Sequence, residues 1–336
     1  PDDPSRAVML ALDGLQLGND DVVDAFAHGT TVATNALIER KGAQVGLLAT
    51  HGFEDTLEIG RQIRAQMYEV RLRPQTPVFI APGRRRMGVR ERIGASGEVV
   101  TPLDETSVVD AVDALVADGA QSIAVCLLFS FLNDTHEQRI KAIIAERHPG
   151  LDVSLSSEVD PAFREYERTA VTAFDAYIKP VVISYLRKLA IGLVAREIRA
   201  PLRVMQSRGG LAHAELAVER PVRLFLSGPA AGVLGAQAVG RAVGEANLIS
   251  VDIGGTSCDI ALVSDSKPLI RSEGIIEGFP VRVPMVDVNA IGSGGGSVAW
   301  IDKAGGLRVG PRSAGASPGP ACYDQGGSEP TVTDAS

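Results

Sequence analysis

From residue 104 to residue 155 the sequence alternates two periodicities, and few folds accept that rhythm. Asp104 can N-cap a helix whose apolar positions are Val108, Val112, Leu115 and Val116, and Gly119 ends it. Ser122 to Phe129 is a nearly continuous apolar run, the mark of a strand covered on both faces. Asp134 to Arg147 is amphipathic again, and Leu151 to Leu155 is another apolar strand. Strand, helix and strand in this order require parallel pairing with right-handed crossovers, so the fold class is α/β.

The same alternation extends outward. A helix is expected over residues 4–16. A strand over 22–27 runs into His28-Gly29-Thr30-Thr31, followed by a helix over 32–40 and a strand over 44–49. Arg, Pro and Gly dominate residues 61–100, which read as an irregular insertion or lid with short strands at 77–80 and 89–93. A helical stretch over 162–196 contains Pro180, expected to break or kink it. A strand over 202–206 leads into Ser207-Arg208-Gly209-Gly210. Another over 224–226 is followed by Ser227-Gly228-Pro229 and a small-residue helix from Ala230 to Val243. From Gly292 to Gly327 the chain is crowded with Gly, Ser and Pro.

Composition excludes several functions. A net charge of −8 argues against a general nucleic-acid binder, which needs a clustered basic face. The basic run Arg84-Arg85-Arg86 reads as a solvated loop, a subunit contact or an anion clamp. No uncharged apolar run reaches the roughly 18 residues of a membrane helix. Cys126, Cys258 and Cys322 are far apart and show no disulfide or zinc spacing, which suits a reducing compartment such as the cytoplasm. The chain opens on Pro1 and stops at Ser336 in mid-pattern, and reads as a piece of a longer protein.

The strongest chemical signal is Asp252-Ile-Gly-Gly-Thr-Ser-Cys-Asp259. An apolar strand, Leu248 to Val251, delivers Asp252 to its end, and a second strand resumes at Asp259. Gly254 and Gly255 lack a Cβ, so backbone amides can approach an anion, and Thr256 adds a hydroxyl. A strand–turn–strand phosphate grip fits this pattern, whereas a P-loop would lead into a helix through Gly-Lys-Ser/Thr. A tight glycine hairpin with two solvated aspartates fits the spacing as well. As a grip, Asp252 would hold a water of bound Mg²⁺, which takes few carboxylates and keeps several waters. Further candidates are His28, Thr30 and Thr31 at a strand end, Gly294, Gly295 and Gly296 around a phosphate or ribose, and Asp287 as a second metal ligand. The His28 segment also fits a Thr-rich helix cap. Arg164, Glu165, Glu167 and Arg168 read as a surface ion-pair network, with Glu158 and Asp160 near enough to reach a cleft.

Asp252 to Asp259 resembles the second phosphate motif of the actin and sugar-kinase superfamily, to which heat-shock ATPases also belong. More specifically, seven ordered segments are similar to the hydantoinase A/oxoprolinase family: residues 28–36, 157–161, 165–168, 227–233, 252–259, 292–297 and 315–323. The resemblance implies an actin-like ATPase (ribonuclease H-like) fold of two lobes, here lacking both ends, with Leu248 to Val263 at the interlobe cleft. It implies an N-terminal region over 1–180, a central domain over 181–336, and a lobe crossing near 230–248. The family opens with a first phosphate motif and continues past this chain, and both parts are missing here, so weak nucleotide binding is expected of these residues alone. Ser227 and Gly228 join Gly254, Gly255, Thr256 and Gly294 to Gly296 as implied ATP contacts, with Mg²⁺ at Asp252 and Asp287 and catalytic roles at His28, Thr30, Thr31 and Asp252. The implied reaction is ATP-dependent hydrolysis of a cyclic amide such as a hydantoin or 5-oxoproline, with a second, hydantoinase B-type subunit and an oligomeric assembly. Activation of a ketone in a carboxylase, or a nucleotide-gated interaction protein, are the alternatives. A sugar kinase would need a carboxylate base that the sequence does not offer.

Overall fold

A computed structural model describes residues 3–15, 23–63, 68, 76–255, 257–276 and 278–336. The chain clusters into two compact units, Pro1–Ser227 with Ser272–Pro284, and Gly228–Arg271 with Met285–Ser336. The division expected at 180/181 falls inside a helix.

The first unit is built as the alternation requires. Its elements are α1 (Pro4–Gly14), β1 (Phe26–His28), α2 (Val32–Ile38), β2 (Val45–Thr50), β3 (Arg86–Val89), α3 (Glu105–Ala117), β4 (Ser122–Cys126), α4 (Thr135–Arg147), β5 (Asp152–Leu155), α5 (Glu165–Val194), β6 (Leu202–Met205) and β7 (Leu211–His213). Asp104 caps α3 by accepting the amides of Thr106 and Ser107 at 3.1 and 3.2 Å. The main sheet has the order β3-β2-β4-β5 and is parallel throughout.

Side-chain alternation divides that sheet between two helical layers. Leu48, Ile123, Val125 and Leu155 pack with Val108, Val112 and Leu115 of α3 and Ile140, Ile143 and Ile144 of α4. Cys126 faces the other way and accepts the Thr169 hydroxyl of α5 at 3.0 Å. On that side α5 is buried through Ala170, Ala173, Phe174, Tyr177, Ile178, Val182, Leu186 and Leu189. Phe174 sits edge-on to Phe225 and tilted against Phe279, which the segment Ser272–Pro284 brings to the helix.

Three expectations are corrected. Residues 77–80 form turns, and β3, inside the presumed insertion, is a full edge strand of the main sheet. Pro180 does not break α5, because burial of its flanking turns outweighs one missing backbone bond. Residues 224–226 are not a strand: Pro221–Leu224 is a 3₁₀ turn that leads into Ser227. Within the glycine-rich stretch, Ser297–Ile301 and Leu307–Ser313 pair as an antiparallel β-hairpin.

The second unit contains α6 (Ser227–Val243), whose first residue still belongs to the first unit, then β8 (Leu248–Ile253), β9 (Cys258–Ser264), β10 (Val288–Ile291), β11 (Ser297–Ile301) and β12 (Leu307–Ser313). β8 and β10 flank β9, both antiparallel to it. Ala230 and Val233 of α6 pack on Ala261 and Val263 of β9. Among the described residues no helix is long and apolar enough to cross a membrane.

Phe174 is fully buried and joins the sheet layer to the returning segment. Phe174→Ala is expected to destabilise the first unit by about 3–5 kcal/mol. Urea unfolding followed by circular dichroism measures this, and a loss below about 1 kcal/mol would mean that the aromatic cluster does not hold the helix.

Candidate functional site

Two constellations gather the candidate residues, one in each unit. In the first, β1 and β6 run parallel with Phe26 opposite Leu202 and His28 opposite Val204, so the His28 loop leaves the carboxyl end of a parallel pair. Such ends are where open α/β sheets receive ligands. The His28 ring lies 2.7 Å from the Tyr185 hydroxyl through Nε2. Ser227 is wholly buried, and its hydroxyl donates to the Thr30 carbonyl at 2.7 Å. The Thr30 hydroxyl accepts the Val32 amide at 3.2 Å, which opens α2. Thr34 accepts the Leu226 amide at 3.2 Å, and Thr31 accepts from Asn35 at 3.2 Å.

This is a half-buried imidazole over a shell of hydroxyls already bonded to backbone. Burial pushes the His28 pKa below its ordinary value and raises the Tyr185 phenol. The neutral imidazole can therefore give or take one proton at a ring nitrogen near neutral pH. Ser227, read as an ATP contact, has its hydroxyl committed to the Thr30 loop instead.

In the second unit, β8 and β9 form the expected strand–turn–strand. Asp252 stands directly opposite Asp259, and the Gly254 amide closes the turn on the Ser257 carbonyl at 2.9 Å. Thr256 lies outside the described residues. A Cβ at Gly255 would meet nothing within 4 Å, so the turn is open on that side. The second glycine run packs against this turn: the amides of Gly295 and Gly296 donate to the carbonyls of Gly254 and Gly255 at 2.9 and 2.7 Å. The Gly294 amide donates to the Ser297 hydroxyl at 2.9 Å. A Cβ at Gly295 would come within 2.7 Å of the Thr333 hydroxyl, and one at Gly296 within 2.9 Å of the Gly255 carbonyl. These glycines thus permit close packing, and their amides already have acceptors within the protein. Gly228 lies in the first turn of α6, where Gly232 brings the helix backbone beside Asp252, 3.8 Å from where its Cβ would stand.

Asp252 and Asp259 face each other, and neither forms an ion pair among the described residues. Burial, and then the Asp252 charge, push the Asp259 carboxyl above its ordinary value. Like charges directly opposed across a ladder are unfavourable, and a cation relieves them. Asp287 is set apart from this pair. Asp259 lies opposite Ala290 of β10, and Asp287 is three residues further along on the far side of β9 from Asp252. That displacement is about 10 Å along the strand before two strand spacings are crossed. One ion cannot reach both, and Asp287 is ion-paired to Arg271. No group of three or more His, Cys, Asp or Glu that could hold a metal occurs among the described residues. A magnesium held by one or two carboxylates with waters and phosphate oxygens needs no such group.

Sequence reasoning missed Tyr185, which comes from the middle of a buried helix with no local signature. Asp259 was visible in the motif without a role, and only the strand register gives it one. The surface part of the reading of Arg164 to Arg168 is corrected: Glu167 and Arg168 are buried, and Glu167 is ion-paired to Arg61.

A sequence model described as hydantoinase/oxoprolinase matches residues 168–336, and one for the hydantoinase/oxoprolinase N-terminal region matches residues 1–148. The chain is 40% identical over 314 residues to the caprolactamase alpha subunit of Pseudomonas jessenii, covering 93% of this chain and 45% of that protein. It is 35% identical over 340 residues to 5-oxoprolinase 1 of Arabidopsis thaliana, covering 94% of this chain and 26% of that protein. The crystal structure of the ATP-dependent caprolactamase from Pseudomonas jessenii superposes with a TM-score of 0.81 at 39% identity, covering 98% of this chain and 48% of that one. A nucleotide-free acetone carboxylase superposes with a TM-score of 0.81 at 26% identity, covering 99% of this chain and 49% of that one. The chain therefore spans half or less of the length of these relatives.

The depressed His28 pKa sets a pH dependence. A histidine neutral in the fold contributes stability that is present above its unfolded pKa, about 6.5, and lost as pH falls through the folded value. Denaturant unfolding at pH 7.5 and 5.5 should show a larger loss for the native protein than for His28→Asn. Equal losses would mean that the imidazole is freely solvated.

Proposed function

This chain belongs to the hydantoinase/oxoprolinase family, and on that premise we propose that the full-length protein uses ATP with Mg²⁺ to hydrolyse a small cyclic amide of hydantoin or 5-oxoproline type. The observation that carries the reading is the turn between β8 and β9, with two carboxylates at its base that have no ion-pair partner among the described residues and an open glycine at its tip. An unstrained amide resists water because resonance must be broken at its carbon. Bound MgATP would supply the phosphoryl group that makes the amide oxygen a leaving group.

The residues present suit that chemistry. Asp252 would orient a metal-bound water, and Asp259 would share the cation's field from the opposite strand. The backbone at Gly255 would approach a phosphate oxygen without steric hindrance. Gly295 and Gly296 would hold the turn rigid, so that its donors are oriented before the anion arrives. His28, backed by Tyr185, would donate a hydrogen bond to a substrate carbonyl or move a proton there. That a histidine and hydroxyls gather at a strand end favours an enzyme over a nucleotide-gated interaction protein.

Caprolactamase and acetone carboxylase are named as subunits among the relatives, and this supports division of the reaction with a second subunit of hydantoinase B type in an oligomer. A second reading has comparable support in sequence. The acetophenone carboxylase gamma subunit of Aromatoleum aromaticum is 39% identical over 329 residues, covering 93% of this chain and 44% of that protein. The same phosphoryl transfer to a ketone's enol oxygen would then serve carboxylation. A screen of cyclic amides and ketones with the full-length protein and its partner, read as ATP turnover, separates the two.

Asp252→Asn keeps the size of the side chain and removes its charge. In the full-length protein it should lower MgATP turnover at least about 10²-fold, since metal-borne charge stabilisation is worth several kcal/mol and each 1.36 kcal/mol is tenfold. The circular dichroism spectrum should not change. Unaltered turnover in a folded variant would assign Asp252 a structural role only.

A further inference from the structure

The first unit carries a cavity that the proposed phosphate chemistry does not use. Its volume is about 280 Å³, and Leu128, Phe129, Phe131, Phe163, Arg164, Glu165 and Arg168 form its walls. It lies in the loop that follows β4, at the carboxyl end of the parallel sheet, against the start of α5. Crevices at this edge are the usual ligand sites of open α/β sheets.

Arg168 sets the chemistry of the cavity. It is 1% exposed, and no carboxylate forms an ion pair with it among the described residues. Its two terminal nitrogens donate to the carbonyls of Ala162, at 3.0 Å, and Leu127, at 2.6 Å, so the guanidinium joins the two loops that enclose the space. The third nitrogen, Nε, is buried as well, and its N–H has no acceptor. The Phe131 ring centroid lies 5.2 Å from the guanidinium carbon. A buried cation with an unused donor is costly unless an oxygen completes it. Two wall residues, Phe129 at φ 56° and Arg164 at φ 77°, hold backbone conformations unfavourable for bulky side chains, and such strain collects at ligand sites.

We propose that this cavity binds a small ring compound through one sp² oxygen, a carbonyl or a carboxylate, which accepts a hydrogen bond from Arg168 while the aromatic walls cover the ring. The volume is just below the roughly 300–1,000 Å³ that drug-sized ligands occupy, so the ligand is smaller than those. Cyclic amides belong to this class, and identifying the ligand as the substrate rests on the function proposed above.

The test uses the full-length protein, calorimetry without nucleotide, and two probes: 2-pyrrolidone, a neutral lactam, and 5-oxoproline, which adds a carboxylate. At least one probe should bind, and Phe163→Ala and Arg168→Lys should each weaken it at least tenfold. Phe163 is 63% exposed, so its removal spares the core if the Arg168 variant fails to fold. Comparable affinity for both probes assigns the oxygen to the amide carbonyl, and a tenfold preference for 5-oxoproline assigns it to the carboxylate. No binding of either probe, or binding unchanged in Phe163→Ala, overturns the proposal. ATP turnover separates the two claims. If an amide stimulates turnover with the same KM in Phe163→Ala, the cavity fails and the reaction stands. If probes bind and the variants weaken them but no amide stimulates turnover, the reaction fails and the cavity stands.

Discussion

The first unit depends on one buried helix. α5 runs from Glu165 to Val194 and is buried along most of its length, which obliges it to satisfy polar groups far from water. Asp175 is wholly buried and accepts from the Ser154 hydroxyl at 2.7 Å and the Val222 amide at 3.0 Å. Lys179, one turn on, donates to the carbonyls of Val153 and Glu219 at 2.9 and 3.0 Å. Burial raises the Asp175 carboxyl, and Lys179 opposes that shift. Through these bonds the helix fixes β5 on one side and the turn before Ser227 on the other. Tyr185 and Arg168 belong to the same helix, so the His28 loop and the aromatic cavity both take their positions from it.

In the second unit the corresponding constraint is unfavourable when considered alone. Strand register sets Asp252 against Asp259, and among the described residues no ion pair relieves them. The surrounding parts keep the arrangement in place. Ala230 and Val233 pack beneath β9, and the Gly295–Gly296 amides secure the turn from the other side. A hairpin held this firmly with opposed carboxylates suits the proposed role, in which magnesium and a polyphosphate would arrive together.

Much of this was legible in the residues, for identifiable reasons. Asp104, Gly119 and the apolar run at Ser122 carry local signals, and the strands and helices formed there within a few residues. The Asp252–Asp259 turn was legible because glycines between two apolar strands leave little conformational choice. What escaped was non-local. Pro180 argues for a break by its own chemistry, and only tertiary burial overrules it. Arg168 and Glu167 have the spacing of a surface network, and nothing in sequence places them inside. Asp287 looked close to the proposed metal position because it precedes Gly292, but strand register carries it away from Asp252. Gly295 and Gly296 resemble a ligand loop, and their packing role depends on a turn some forty residues earlier.

The turn between β8 and β9 is proposed to receive the magnesium-bound phosphates of ATP. Hydrogen-exchange mass spectrometry of the full-length protein, with and without MgATP, tests it most directly. The account predicts nucleotide-dependent protection in peptides covering residues 252–259, lost when magnesium is chelated. Protection elsewhere in the protein, with no change across 252–259, would contradict it.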